Sequence, residues 1–219
     1  TYLHAAGDTS YSTLVKVGTT YTLTAKTGEL SNFSALGLLT SRVDTNANTV
    51  SYAYADRNAD GIANELISIT DPFGRVTSVN YTSSKVSSVA HFSGRTTTLT
   101  VTSGNLIGYT LPDPDGAGPL TRPVTTNEYS PAGLSKVTDP LGNATTFVRD
   151  GNGRATSTTD AQGGVTSLVF DTYGNVLSQT DPDPDGAGPL ARPVTLFTYD
   201  SINRVTTKID ALNKYTYYT

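Results

Sequence analysis

The stretch FVRDGNGRATSTTDAQGGVTSLVFD, residues 147–171, carries aspartates at a regular spacing of about ten residues. Two of them, Asp150 and Asp160, open the four-residue words DGNG and DAQG. In such a word the aspartate side chain can bond its own downstream backbone, and the final glycine accepts a positive φ angle. Each word therefore predicts a tight β-turn, and the Thr, Val and Phe residues between the words are typical of strands.

Words of the same kind recur on both sides of this stretch. Where the final glycine is missing, asparagine replaces it, and asparagine tolerates left-handed backbone better than most other residues. The predicted structural turn residues are Asp71, Gly74, Asp139, Gly142, Asp150, Gly153, Asp160, Gly163, Asp171, Gly174, Asp200, Asn203, Asp210 and Asn213. Earlier words are less regular, and Ala47 stands where glycine is expected, so we expect a strained turn or a turn of another type there.

The segments between turns have the length and pattern of short strands. VTSLVF (165–170) and RVTTKI (204–209) are six residues long, so each spans roughly 20 Å when extended. Aromatic residues alternate with small residues at Tyr52 and Tyr54, which predicts one buried face. We therefore predict an all-β fold in which tandem hairpins stack into one continuous antiparallel sheet.

Composition limits the partners and the compartment. The chain of 219 residues is 36% hydrophobic, which predicts a thin core, and it contains no cysteine, so disulfides and thiolate metal sites are excluded. A net charge of -4 without a Lys/Arg cluster argues against nucleic-acid binding, and no apolar run is long enough for a membrane span. Because the chain starts at Thr1 and has no methionine, we expect it to be a piece of a longer protein.

Several stretches resemble a known repeat. Residues 147–171, and FTYDSINRVTTKIDALNKYTYY at 197–218, resemble the YD repeat of RHS proteins and teneurins, whose unit is roughly YDxxGRLxxxxDxxGxxxxYxYD. FSALGLLTSRVDTNANTVSYAY at 33–54 looks like the opening unit of such an array. The resemblance predicts leading strands or a degenerate repeat at 1–32 and a YD-repeat array at 33–219. It also implies that the stacked hairpins form a curved or spiralling antiparallel sheet, as a segment of a β-shell or tube. In that family a large hollow β-shell encloses a toxin or belongs to an adhesion protein.

Two longer insertions interrupt the predicted array. LPDPDGAGPLTRPVT at 111–125 and DPDPDGAGPLARPVT at 181–195 are nearly the same sequence, so we predict the same protruding loop twice. The alternating aspartates suggest a calcium loop, but such a loop needs a glutamate at its twelfth position, where Arg122 and Arg192 stand. The pattern therefore favours loops without an ion over a calcium site at the second copy, whose candidate ligands would be Asp181, Asp183 and Asp185.

A better calcium candidate is DRNADGIANE, residues 56–65. Acidic and amide side chains recur there at every second position, and a glycine supplies the sharp bend. The candidate metal ligands are Asp56, Asn58, Asp60, the carbonyl of Ile62, and Glu65. The alternative is a solvated loop between strands, and no other cofactor is expected.

Catalytic motifs are not found in the sequence. The two histidines, His4 and His91, stand beside no nucleophile motif, and most aspartates occupy the first position of a turn word. A non-catalytic protein is therefore predicted, with a hydrolase as a remote alternative. Several tyrosines could stack on sugar rings if they face outward, although packing between strands is favoured; they are Tyr52, Tyr54, Tyr199, Tyr215 and Tyr217.

Together these features predict a structural protein of the extracellular space or cell surface that builds a β-shell, tube or fibre. Open strand edges expose unpaired backbone groups, so its expected partners are neighbouring repeats or other copies of itself. One alternative is an adhesion module for glycans or a protein partner, assisted by calcium. Another is the encapsulating shell segment of a polymorphic toxin.

Overall fold

The computed structural model describes residues 12–186 and 188–218, and every regular element among them is a β-strand. The chain divides into two compact units. The first unit runs to Val101 and also includes Thr110–Arg122; the second comprises Thr102–Tyr109 and the chain from Pro123 onward. His4 and the first part of the predicted leading segment lie outside the described residues.

The described part of the first unit is an antiparallel meander in which each strand pairs with the next along the chain. Turns of two to five residues, and a nine-residue loop at 56–64, join strands of four to seven residues. The strands are β1 (Thr13–Val17), β2 (Thr20–Thr24), β3 (Leu30–Phe33), β4 (Leu39–Val43), β5 (Thr49–Ala55), β6 (Glu65–Thr70), β7 (Val76–Thr82), β8 (Lys85–Ala90) and β9 (Thr96–Thr102).

The second unit repeats this organisation from β11 to β19. Its strands are β10 (Asn105–Thr110), β11 (Val124–Ser130), β12 (Gly133–Thr138), β13 (Ala144–Arg149), β14 (Ala155–Thr159), β15 (Val165–Phe170), β16 (Val176–Thr180), β17 (Val194–Tyr199), β18 (Val205–Ile209) and β19 (Tyr215–Tyr217). Strand β10 lies beside β11, where the Asn127 side-chain amide donates to the Leu106 carbonyl at 2.9 Å. The all-β prediction with tandem antiparallel hairpins is therefore confirmed.

The prediction of a buried face is wrong for the described residues. None of their hydrophobic side chains is buried; Gly108 and Thr125 are the buried residues, and Thr125 is 7% exposed. Within each unit no second layer covers the sheet, so a strand side chain is shielded only by its neighbours on the same face. Backbone pairing and polar contacts between hairpins consequently carry more of the stability than they do in a protein with a packed core.

Candidate functional site: the contacts that join successive hairpins

The aspartates of the turn words organise five-residue turns through one carboxylate oxygen. In the turn at Asp139, Oδ1 accepts the N–H groups of Leu141 at 2.8 Å and Asn143 at 2.9 Å. The backbone closes the same turn, because Gly142 N donates to Asp139 O and Asp139 N donates to Asn143 O. We call this arrangement the Asp turn; its first residues are Asp44, Asp71, Asp139, Asp150, Asp160, Asp171, Asp200 and Asp210.

The fourth residue of each Asp turn has the positive φ angle that the turn words predict. Gly142 has φ 87° and Asn203 has φ 63°. Ala47 also has φ 64°, and its turn keeps the usual hydrogen bond from Ala47 N to Asp44 O at 3.1 Å. The turn at Asp44 therefore has the same type as the others and is strained, since alanine does not favour this backbone region. The sequence left open either a strained turn or a turn of another type.

In six of the eight described Asp turns, the side chain of the fifth residue donates to the second carboxylate oxygen, Oδ2, a contact not predicted from the sequence. Asn143 donates its side-chain amide to Asp139 Oδ2 at 2.8 Å, and Arg204 donates Nε to Asp200 Oδ2 at 2.7 Å. Both carboxylate oxygens are then satisfied within five residues. The sequence feature that indicates this contact is the Asn or Arg that directly follows most turn words, as in DPLGN and DSINR.

These hydrogen bonds favour the charged carboxylate. The Asn143 side-chain amide is the main reason that the pKa of Asp139 lies below its ordinary value of 3.8. The pKa of Asp200 is lowered mainly by the Arg204 backbone N–H and then by the Arg204 side chain. For Asp171, desolvation raises the pKa, but the hydrogen bonds from Asn175, Tyr173 and Gly174 together outweigh it, so the net shift is downward. An ionised aspartate is therefore part of the folded turn.

In five of the described hairpins, one polar side chain joins the hairpin to the hairpin before it. Tyr199 lies at a β-bulge at the end of β17, and its hydroxyl donates to the carbonyl of Val176 in the preceding hairpin at 2.9 Å. The bulge turns the side chain away from the regular alternation of the strand. We call these side chains clasp residues; they are Tyr54, Tyr81, Tyr129, Arg149 and Tyr199.

Arginine replaces tyrosine in one clasp. Arg149 Nε donates to Leu134 O at 2.7 Å, and its NH1 group donates to Gly153 O at 2.7 Å. In the next hairpin, Phe170 has no hydroxyl, and Arg154 joins the hairpins instead by donating to Asp171 O at 3.0 Å. The Arg154 guanidinium lies 4.7 Å from the centre of the Phe170 ring. The YD pattern therefore marks a structural contact between hairpins, which another donor can supply.

The clasp residue Tyr81 is partly buried. Burial raises the pKa of Tyr81, and the nearby Glu65 carboxylate raises it further. The Tyr81 hydroxyl therefore stays protonated and continues to donate to Leu66 O at 3.0 Å.

The two insertions form loops that are closed by their arginines. Arg192 Nε donates to Asp181 O at 2.9 Å, and its NH2 group contacts the Val165 carbonyl of β15. Arg122 makes the equivalent contacts in the first loop, to Leu111 O at 2.9 Å and to Thr96 O at 2.7 Å. The arginine at the twelfth position thus holds the base of the loop against a neighbouring hairpin.

The aspartates of the second loop bond their own backbone. Asp185 Oδ2 accepts the Leu190 N–H at 3.1 Å, and Asp183 Oδ1 accepts the Asp185 N–H at 3.2 Å. Among the residues that the structure describes, no three His, Cys, Asp or Glu side chains are placed to share a metal ion.

The candidate calcium ligands at 56–65 also bond amides. Asp56 Oδ2 accepts the Gly61 N–H at 2.9 Å, and Asp60 Oδ1 accepts the Ile62 N–H at 2.8 Å. Glu65 Oε2 accepts the Arg57 N–H at 3.1 Å, while the Asn58 side chain donates to Asp60 Oδ2 at 3.0 Å. A calcium ion would have to compete with these amides, so calcium binding in this loop stays a prediction.

His91 takes the place of aspartate in a turn. Its Nδ1 atom lies 2.9 Å from Ser93 Oγ, and Gly94 N donates to His91 O. Of the five tyrosines considered for sugar stacking, Tyr52 is half-buried, and the other four divide into two groups. Tyr54 and Tyr199 are held as clasp residues, whereas Tyr215 and Tyr217 lie exposed on β19 with ring centres 6.1 Å apart.

No helix able to cross a membrane is found in the described part of the chain.

Comparison with known proteins identifies the repeat. Residues 129–165 and 149–186 each match the RHS repeat family model, so the chain contains RHS repeats and the YD-repeat resemblance is confirmed. Among curated proteins, none matches the chain in sequence.

Solved structures are similar at low identity. A TcdB2–TccC3–Cdc42 crystal structure is 17% identical, with a TM-score of 0.45, over 87% of this chain and 12% of that chain. The Photorhabdus luminescens Tc holotoxin pore is 12% identical, with a TM-score of 0.48, over 86% of this chain and 12% of that chain. A porin-like protein from Bacteroides uniformis is 11% identical, with a TM-score of 0.36, over 90% of this chain and 86% of that chain.

Proposed function

We propose that this RHS-repeat chain is a structural, non-catalytic protein of the extracellular space or cell surface, whose stacked hairpins form the wall of a β-shell, tube or fibre. The observation that carries the proposal is the clasp, because it joins five of the described hairpins to the preceding ones without a hydrophobic core. Turn geometry and clasp recur along the chain, so that further hairpins can be added by the same contacts. A catalytic role is not needed to explain the aspartates of the turns, since six of the eight described Asp turns use both carboxylate oxygens.

The edge of β19 supports extension by strand pairing. Tyr218 N donates to Thr206 O of β18, and the N–H groups of successive residues in a strand point in opposite directions. The N–H groups of Tyr215 and Tyr217 therefore point away from β18. Such an edge pairs readily with another strand, either of a further repeat or of a second copy of the chain. The enclosure of a toxin, which the resemblance implies, stays a prediction.

The proposal is tested by sedimentation velocity of the purified chain over a wide concentration range. We expect association that increases with concentration. Tyr217→Pro removes an outward N–H and should abolish association, whereas Tyr217→Ala keeps that N–H and serves as the control. A chain that stays monomeric at every concentration, or whose association is equally strong in the proline variant, would contradict extension through this edge.

A further inference from the structure

The two insertion loops, residues 111–123 and 181–193, each form a cleft with a turn of the preceding hairpin. The first cleft lies within the first unit, between its loop and residues 93–96. The second cleft lies within the second unit, between its loop and residues 162–165. Each has a volume of about 410 Å³. The proposed wall function does not explain these clefts, because turns of two to five residues join most of the other described strands.

The loops are nearly identical to each other, although the strands that lead into them are not. Residues 112–125 and 182–195 differ at one position, where Thr121 stands in the first copy and Ala191 in the second. The preceding segments, NLIGYT at 105–110 and NVLSQT at 175–180, share only their first and last residues. Surface loops normally vary more than the strands they connect. The reverse pattern indicates that both loops serve the same purpose beyond closing a turn.

Each cleft is lined by one guanidinium and one carboxylate that retain unused hydrogen-bonding groups. Arg122 bonds two backbone carbonyls through Nε and its NH2 group, and its NH1 group has no partner within the described residues. Asp113 Oδ1 accepts the Asp115 N–H at 3.1 Å, which leaves Oδ2 without a donor in the described part of the chain. Arg192 and Asp183 repeat this arrangement in the second cleft. Both clefts therefore offer a positively charged donor and a negatively charged acceptor.

The clefts differ in charge at the fifth residue of the turn that faces the loop. This residue is Arg95 in the first cleft and Gly164 in the second. The Arg95 side chain has no hydrogen-bond or ion-pair partner among the residues that the structure describes. The first cleft is therefore lined by two arginines and one aspartate, whereas the charges of the second cleft balance.

We propose that each cleft binds a free α-amino acid. The arginine of the loop pairs with the α-carboxylate of the ligand, and the aspartate pairs with its ammonium group. In the second cleft, a ligand with a single charge would leave the opposite protein charge unmatched, whereas a zwitterion matches both. In the first cleft, the additional charge of Arg95 favours an acidic amino acid, whose side-chain carboxylate pairs with it. This inference does not depend on the wall function.

The test is a nuclear magnetic resonance titration of the nitrogen-15-labelled chain, at a concentration where it is monomeric. The backbone amides of Gly116 and Gly186 report on the first and the second cleft separately. The probes are L-alanine and L-glutamate, together with N-acetyl-L-alanine, which lacks the ammonium group, and L-alaninamide, which lacks the carboxylate.

Three variants accompany the titration. Asp113→Asn removes the charge and keeps an acceptor for the Asp115 N–H. Asp115→Asn is the matched control, because Asp115 belongs to the same loop and accepts the Leu120 N–H but does not line the cleft. Arg95→Gly gives the first cleft the residue that the second cleft has at this position.

We expect L-alanine to shift both glycine resonances saturably and both blocked compounds to bind about tenfold more weakly or less. L-glutamate should bind the first cleft about tenfold more tightly than the second, and Arg95→Gly should remove this difference. Asp113→Asn should weaken binding about tenfold at Gly116 and leave Gly186 unchanged, and Asp115→Asn should change neither.

The inference is overturned if neither L-alanine nor L-glutamate shifts these resonances with a Kd below about 10 mM. It is equally overturned if the blocked compounds bind as tightly as L-alanine, or if Asp115→Asn weakens binding as much as Asp113→Asn. Equal affinities of the two clefts for L-glutamate would overturn the role assigned to Arg95.

Discussion

At the scale of single residues, the Asp turn depends on a left-handed residue at its fourth position. Gly142 has φ 87°, and a Cβ atom added there would meet no other atom within 4 Å. Any cost of a larger side chain at this position therefore comes from backbone strain alone.

We expect Gly142→Val to lower the free energy of unfolding by about 1–3 kcal/mol, since a β-branched residue is strained at this φ angle. Gly151→Val is the control, because Gly151 has open space around it and no positive φ. Urea unfolding followed by circular dichroism measures both variants. An equal effect of the two substitutions would refute the strain argument.

The carboxylates of the same turns make stability depend on pH. Asp44, Asp139 and Asp200 have pKa values below the ordinary 3.8, so the unfolded chain binds protons more readily than the folded chain. Their contribution to stability is fully present above the unfolded pKa and is lost as the pH falls through the lower folded values. The relevant window therefore lies in the acid range, around and below pH 3.8.

Unfolding free energies measured in urea should accordingly be nearly constant from about pH 7 to pH 5 and then fall as the pH is lowered further. Asp139→Asn, which keeps an acceptor but has no titrating group, should show a smaller fall than the unchanged chain. A stability that stays constant down to about pH 2.5 would show that the turn carboxylates are not coupled to folding.

At the scale of the element, the clasp can be tested by a substitution that removes a single hydroxyl group. Tyr199→Phe removes only the hydroxyl that donates to Val176 O. We expect it to lower the free energy of unfolding by about 1 kcal/mol, because the carbonyl loses its donor in a partly covered site. Tyr173→Phe is the matched control, since Tyr173 is 81% exposed and is not a clasp residue. Equal stability of the Tyr199 variant and the unchanged chain in chemical unfolding would contradict the clasp.

The contact between β10 and β11 provides a second test at this scale. A Cβ atom at Gly108 would lie 2.9 Å from the Thr125 carbonyl oxygen, which belongs to the backbone and cannot rotate away. Gly108→Ala should therefore cost about 1–3 kcal/mol, measured by thermal unfolding. Gly151→Ala, in open space, should be close to neutral. A Gly108 variant as stable as its control would mean that the two strands are further apart than described.

The sequence predicted some parts of these elements and not others, for physical reasons. The turns were predictable because Asp139 and Gly142 act within five residues, where residue type and backbone conformation are directly linked. The clasp was not, because the hydroxyl of Tyr199 and its acceptor, Val176 O, are separated by 23 positions and any backbone carbonyl can accept.

At the scale of the whole molecule, the proposed wall rests on two features of the sheet. Buried hydrophobic side chains are absent among the described residues, and repeated polar contacts join the hairpins. No hydrophobic side chain of the described residues is buried, so the prediction of a buried face from the alternation at Tyr52 and Tyr54 failed. Period-two alternation distinguishes the two faces of a strand, but it does not say whether another layer covers either face. Backbone pairing, Asp turns and clasps provide a repeated joint that can be extended in one direction, which suits a wall better than a globular domain.

Electron cryo-microscopy of the purified chain, at concentrations where it associates, tests the wall most directly. We expect assemblies whose walls are one sheet thick, with strands about 4.8 Å apart and continuous pairing from one copy to the next. Compact particles in which two sheets pack face to face around a hydrophobic core would contradict it.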